Sequence, residues 1–327
     1  MRAMVLDRPG QALQCREVPI PDIAPGQLLL RVTACGICRT DLHVVDGDLT
    51  EPSLPIIPGH QVVGTVAQLF PGCDAFQLGQ RVGIPWLGGS CGHCEFCVSA
   101  RENLCDHAVY TGYQVNGGFA EYVAADARFC FALPDNFADQ QAAPLLCAGL
   151  IGYRAYRRVR HAPRIGLYGF GAAAHILVQV ACHFGQQVYA FTRSGDTEAQ
   201  RFATGLGAVW AGHSGEVPPE LLDAAIIFAP DGDCVPAALQ AVKKGGRIIC
   251  AGIHMSDIPS FPYAHLWGER SIESIANLTR ADGAEFLPLA AQIPIETQVQ
   301  SYPLERANQA LDDLRQGRFT GAAVIVP

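Results

Sequence analysis

The sequence predicts an α/β chain in two parts, a β-rich domain followed by a doubly wound parallel sheet. Three observations carry that expectation. The first third reads as short strands, such as Leu28-Leu29-Leu30-Arg31-Val32 and Val62-Val63-Gly64-Thr65-Val66, broken by Pro-Gly pairs at Pro9, Pro25 and Pro58. From about residue 165 strands alternate with helical stretches, which is the rhythm of a parallel sheet. At 327 residues the chain also exceeds the size at which one core stops growing, so two domains are the natural expectation.

The composition excludes several classes of function. Hydrophobic residues make up 49% and charged residues 17%, which is globular rather than disordered, and no apolar run is long enough to span a bilayer. The start, Met1-Arg2-Ala3-Met4-Val5-Leu6-Asp7-Arg8-Pro9, carries no apolar signal core, so neither a secretory leader nor a membrane partner is expected and the cytoplasm is the expected location. A net charge of -8 without a basic cluster argues against nucleic acid as the partner. Thirteen cysteines in a reducing compartment point to metal ligands where they cluster, rather than to disulfides.

In the second half, Ile165-Gly166-Leu167-Tyr168 reads as a strand, a Gly/Ala turn follows, a helical stretch runs through His183, and Val188-Tyr189-Ala190-Phe191 reads as the next strand. Ala224-Ala225-Ile226-Ile227-Phe228 and Gly246-Arg247-Ile248-Ile249-Cys250 extend the series. The tail is helical from Leu304 to Gly317 and ends in a β-like Ala322-Ala323-Val324-Ile325-Val326.

The sharpest local signal is Cys91-x2-Cys94-x2-Cys97-x7-Cys105, four soft thiolates within one glycine-rich stretch. Tetrahedral zinc takes such a set, with disulfides or an iron-sulfur cluster as the competing readings. With every position filled by protein, a zinc here is structural and holds the loop.

A second set is less obvious residue by residue. A lone cysteine is usually a small buried hydrophobe and a lone histidine usually structural. Cys38, however, begins Cys38-Arg39-Thr40-Asp41-Leu42-His43, His60 sits in Pro58-Gly59-His60-Gln61-Val62-Val63-Gly64, and Cys147 follows Pro144-Leu145-Leu146. In order and spacing, with the four-cysteine lobe between the second and third, these motifs resemble the zinc-containing medium-chain alcohol dehydrogenases, and the resemblance covers essentially the whole chain. It implies a GroES-like catalytic domain joined to a Rossmann domain.

The resemblance also implies roles. Cys38, His60 and Cys147 hold a catalytic zinc whose fourth position takes the substrate oxygen, where the metal acts as a Lewis acid. Asp41 orients His60. Thr40 bonds the substrate oxygen and passes its proton, by way of a cofactor ribose hydroxyl, to His43. The plainer alternatives are that Thr40 and Asp41 cap a helix beginning here and that His43 is a surface residue. Cys35 pairs with Cys38 in spacing but lies outside the family pattern and reads as a packed thiol. Cys15, Cys73, Cys130, Cys182, Cys234 and Cys250 form no ligand spacing.

Gly169-Phe170-Gly171-Ala172-Ala173-Ala174 follows a strand and opens a helix, the setting that the dinucleotide fingerprint requires. Gly169 serves the tight turn, Gly171 the approach of the pyrophosphate to the helix N-terminus, and Ala174 close helix–strand packing. The next strand ends Ala190-Phe191-Thr192-Arg193-Ser194, without the carboxylate that bonds the ribose of NAD. Thr192 and Arg193 therefore favour NADP over NAD, unless Asp196 or Glu198 swings back or Arg193 is a solvated turn residue.

Two departures from the family pattern stand out. Gln61 occupies the place of a usual glutamate after the zinc histidine. Gly317-Arg318-Phe319-Thr320-Gly321 is followed by Ala322 where many relatives place a pyrophosphate-binding arginine, which shifts that contact towards Arg39.

Trp86 falls where a large aromatic often narrows the family's substrate pocket, which lies between the zinc and the nicotinamide. Leu49 falls where some short-chain-preferring members carry tryptophan. The expected substrates are primary alcohols or aldehydes of moderate length. Cinnamyl-type aldehyde reduction is the runner-up, and a polyol dehydrogenase is disfavoured by the complete four-cysteine lobe. A zinc-free quinone reductase conflicts with Cys38, His60 and Cys147, and a four-cysteine binding module conflicts with the dinucleotide domain and the acidic charge. The expected organisation is a catalytic domain at residues 1–147, a Rossmann domain at 148–279 and a return to the catalytic domain at 280–327. Two zinc ions per chain and a homodimer or homotetramer complete the reading.

Overall fold

A computed structural model describes residues 1–49 and 51–327. The chain divides into two compact units: Met1–Leu150 with Asn277–Gln292 and Glu296–Pro327, and Ile151–Ala276 with Ile293–Ile295.

The first unit is built on a largely antiparallel sheet. Its central strand is Gln27–Ile37, flanked by Gln61–Leu69 and by the C-terminal strand Ala322–Val326. Strand Gln27–Ile37 is buried over most of its length, so its sequence shows a near-continuous apolar run instead of alternation. The Pro-Gly pairs behave as breaks because Gly10, Gly26 and Gly59 all take positive φ, a conformation that glycine adopts without penalty. Gly59 has a second reason to lack a side chain: a Cβ there would meet the Phe119 ring at 2.5 Å and Cys35 Sγ at 2.8 Å. The core of this unit gathers Leu28, Leu30, Val62, Ile84, Phe119 and Ile325, among others, around that sheet.

In the second unit the strands Arg164–Tyr168, Gln187–Thr192, Trp210–His213, Leu222–Ile227, Val242–Cys250 and Ser271–Ser274 form a parallel sheet. The first of these lies inside the sheet, the second and third extend from it on one side, and the fourth to sixth on the other. That is the strand order of the dinucleotide-binding doubly wound fold. The helix expected after the glycine turn runs Ala172–His183. The tail also follows the sequence pattern, with a helix Ala307–Gln316 ended by Gly317 in the left-handed region and the strand Ala322–Val326. Among the described residues no helix is long and apolar enough to cross a membrane.

Candidate metal centres and dinucleotide turn

Strand Gln27–Ile37 delivers the chain to Cys38, which caps the helix Arg39–Asp46. The Cys38 sulfur accepts the Thr40 N–H at 3.3 Å, and the Asp41 carboxylate accepts the Cys38 N–H at 2.8 Å, a reciprocal capping box in which a thiol replaces the usual hydroxyl. Asp41 is fully buried, and its other oxygen lies 3.0 Å from His60 Nδ1. A carboxylate only accepts, so Nδ1 carries a proton and Nε2 is the nitrogen turned to the thiols. The capping and orienting readings of Asp41 are thus both realised, one by each oxygen.

His60 Nε2 faces the two thiols, 3.2 Å from Cys38 Sγ and 3.3 Å from Cys147 Sγ, and the sulfurs lie 4.0 Å apart. Three soft donors at these separations surround one point at roughly the 2.0–2.3 Å of zinc–nitrogen and zinc–sulfur bonds, so the residues fit a zinc ion. Electrostatics agrees with that fit. The Cys38 thiol is held well below its ordinary range, first by its contact with Cys147 and then by His60 against the effect of burial. Burial opposes the charge on His60, but Asp41 and Cys38 override it and push the imidazole up to about 10. Cys147 is raised by sharing a proton with Cys38 and by burial. The bare set thus holds protons that a cation must displace.

Thr40 is buried in the first turn of the same helix. His43 is largely buried, with Nδ1 2.8 Å from Asp48 Oδ2, a partner that nothing in the local sequence announces. Arg39 is exposed. Gln61 is buried against Gly36, where a Cβ would come within 2.9 Å of the Gln61 amide carbon, and its Nε2 has no hydrogen-bond partner among the described residues. Cys35 is a buried thiol pushed well above its ordinary range by that burial, which matches the packed-thiol reading.

An aromatic group that sequence reasoning only partly found lies over His60. Trp86 meets the imidazole edge-on at 4.9 Å, and Tyr110 and Tyr113 stack on Trp86 at 5.1 and 5.8 Å. The two tyrosines carry no motif of their own. They come into register through the short ladder that pairs Leu87 with Tyr110 and the hydrogen bond from Thr111 N–H to the Trp86 carbonyl.

The second cluster brings Cys91, Cys94, Cys97 and Cys105 together with all four sulfurs within 4.8 Å of one another. The backbone amides of His93 and Cys94 stabilise the Cys91 thiolate and draw it down to about 6. Four convergent thiols and amide donors aimed at sulfur fit a closed tetrahedral zinc. The buried Glu102 carboxylate, between Cys97 and Cys105, accepts both the N–H and the side chain of Arg280, which ties this lobe to the later segment of the same unit.

At the glycine turn, Gly169 takes φ +87°, and a Cβ there would meet the Ala229 amide at 2.7 Å. Gly171 caps helix Ala172–His183 with open space where its Cβ would point, and Ala174 is fully buried. The turn therefore offers the helix N-terminus without a side chain at Gly171 to crowd it, the setting that a pyrophosphate site uses. At the end of the next strand the Thr192 hydroxyl is buried, near the Gly212 carbonyl at 3.3 Å and the Gln200 amide at 3.1 Å. The Arg193 side chain is 79% exposed, 3.6 Å from Asp196. Asp196 itself caps helix Thr197–Gly205 through the Ala199 N–H.

Residues 24–135 match the family model described as an alcohol dehydrogenase GroES-like domain. The chain is 45% identical to a probable alcohol dehydrogenase, AdhA, of Mycobacterium tuberculosis, over 100% of this chain and 97% of the relative. It is 36% identical to an alcohol dehydrogenase of Geobacillus stearothermophilus, over 99% of each. Among solved structures, the thermostable alcohol dehydrogenase of Pyrobaculum aerophilum superposes with a TM-score of 0.91 at 25% identity, over 100% of this chain and 99% of that one. Matched along its full length to relatives of this kind, the chain belongs to the zinc-containing medium-chain alcohol dehydrogenase family and is an NAD(P)-dependent alcohol oxidoreductase.

Proposed function

We propose that the chain is a zinc-dependent dehydrogenase of primary alcohols and aldehydes that prefers NADP(H), with one catalytic and one structural zinc. The observation that carries the reading is the convergence of Cys38 Sγ, His60 Nε2 and Cys147 Sγ around a single point, with Asp41 fixing the imidazole proton on the far nitrogen. Two thiolates and a neutral imidazole balance a divalent charge and leave the fourth place to substrate. Zinc bound there supplies Lewis acidity, which lowers the pKa of the alcohol hydroxyl into the neutral range.

The chain's own residues do the rest. Thr40, two residues past Cys38 in the first helical turn, accepts and passes on the hydroxyl proton, and His43, paired with Asp48, receives it towards solvent. Gly169, Gly171 and Ala174 support the dinucleotide pyrophosphate on the helix N-terminus, with Arg39 as an exposed cation for the same group. Thr192 closes the strand without a carboxylate, and exposed Arg193 offers a charge-assisted bond to a ribose phosphate. The four-cysteine lobe holds the structural zinc through Cys91, Cys94, Cys97 and Cys105. A homodimer or homotetramer is the assembly that the family membership favours.

The test is metal analysis of the purified protein together with a panel of primary alcohols, polyols, simple aldehydes and cinnamaldehyde, each with NADP(H) and NAD(H). Two zinc atoms per chain, loss of turnover on chelation and higher kcat/KM on primary alcohols with NADP are expected. One zinc per chain, or undiminished activity after its removal, overturns the catalytic assignment.

A further inference from the structure

Tyr113 makes contacts that neither the metal ligands nor the dinucleotide turn account for. Its ring stacks on Trp86, which lies edge-on to His60. Its hydroxyl accepts the Glu51 N–H at 2.8 Å, and its carbonyl accepts the Ser53 N–H at 2.9 Å. One residue therefore grips both the aromatic wall above a metal ligand and the chain that follows the helix carrying Thr40 and His43.

The stretch holding Tyr113 is itself locked against the approach to His60. Gly117 N–H donates to the Ile57 carbonyl at 2.7 Å, Gly118 N–H to the Gly59 carbonyl at 2.9 Å, and Asn116 accepts the Ile57 N–H at 3.1 Å. A Cβ on Gly117 would lie 2.0 Å from the Gly59 carbonyl oxygen, so the two backbones touch with nothing between them. The Tyr113 side chain thus projects from a fixed frame, while residues 51–53 depend on it for two of their amide partners.

We propose that Tyr113 is a positioning residue for substrate size. Its hydroxyl holds Glu51 and its carbonyl Ser53, while its ring backs Trp86, which lies against the ligand-set residue His60. This deepens the functional reading above and rests on it: an alcohol bound at the Cys38–His60–Cys147 donors presses on this wall more as its carbon chain lengthens, so a long alcohol senses the wall more than ethanol does.

The experiment compares the metal-replete wild type with Tyr113→Phe, which keeps the ring and deletes only the acceptor. Amide hydrogen exchange at residue resolution should accelerate at Glu51 by about two- to tenfold, the range that one net hydrogen bond commands, and stay unchanged at Ser53, whose carbonyl partner remains. The KM for 1-hexanol should rise by a similar factor relative to that for ethanol, with kcat moving less. Unchanged exchange at Glu51 overturns the tie, and an unchanged ratio of the two KM values overturns the role in substrate size. A wild type that turns over no alcohol with either cofactor overturns the functional reading, and the substrate-size role with it, while the exchange result still decides the tie.

Discussion

Asp41→Asn is the sharpest perturbation of the catalytic set, because the aspartate spends its two oxygens on two different donors. One accepts the Cys38 N–H at 2.8 Å and the other meets His60 Nδ1 at 3.0 Å. An amide has one oxygen and one NH2 group, so it serves only one of them. With the oxygen towards His60, the NH2 confronts the Cys38 N–H, and the helix Arg39–Asp46 loses half of its capping box, worth about 1 kcal/mol. With the oxygen towards Cys38, the NH2 donates to Nδ1 and moves the imidazole proton to Nε2, the nitrogen that faces the two thiols. Either arrangement weakens the set, and loss of such an orienting partner typically costs 10- to 100-fold in metal affinity, or about 1.4–2.8 kcal/mol. Competition with a chromophoric zinc chelator measures it, with the proposed zinc of the four-cysteine lobe as the internal reference. Catalytic-site affinity within about threefold of wild type would refute the reasoning.

Three further outcomes are expected. Cys38→Ala should remove one zinc per chain and abolish turnover with little change in Tm, whereas Cys94→Ala should remove the other and lower Tm, because a closed site contributes folding free energy; zinc content and melting curves read both, and equal effects on Tm would contradict the division. Arg193→Ala should lower the NADP-over-NAD ratio of kcat/KM by about tenfold, the low end for a charge-assisted bond because the side chain is exposed and shared with Asp196; an unchanged ratio removes Arg193 from phosphate recognition. Burial raises the Asp223 carboxyl, but Lys243 and Arg164 overcome it and hold the group below its ordinary range. A depressed folded pKa contributes stability above the unfolded value of about 3.9 and loses it as pH falls through the folded one. Asp223→Asn should therefore lower Tm at pH 7, by a margin that closes below about pH 4; a margin constant with pH would argue that the effect is steric.

The two-part fold was legible because each part carries its own period. Pro-Gly breaks delimited short strands, and the turn at Gly169, a fully buried Ala174 and a helix through His183 marked the start of the parallel sheet. The two sets of cysteine and histidine side chains that the fold brings together were legible as well, since sulfur and imidazole at such spacings rarely recur by chance. What was hidden depends on register between distant segments. Tyr113 becomes significant only when the ladder through Leu87 and Tyr110 brings it over Trp86, and Glu102 only when Arg280 arrives from a segment far along the chain. Asp48 lies five residues from His43, beyond the turn at Gly47, where no helical periodicity pairs them.

The plain and the chemical readings of Cys38 and Asp41 competed in the sequence, and the structure makes them one arrangement. The Cys38 sulfur that faces His60 also accepts the Thr40 N–H, and the carboxylate that holds His60 also closes the cap. A cation drawn to that sulfur leaves the Thr40 N–H bond in place, because a thiolate accepts from an amide while it serves as a ligand. Helix Arg39–Asp46 therefore starts at the same atoms that gather the donors, and Thr40 takes its place beside them in the first turn as a consequence of the cap geometry. A serine at position 38 would cap the helix as well or better, and an alanine at 41 would still permit it, so helix formation alone does not select this pair. The proposed role of Cys38 as a soft ligand, beside a histidine whose proton Asp41 keeps on the far nitrogen, accounts for both residues together.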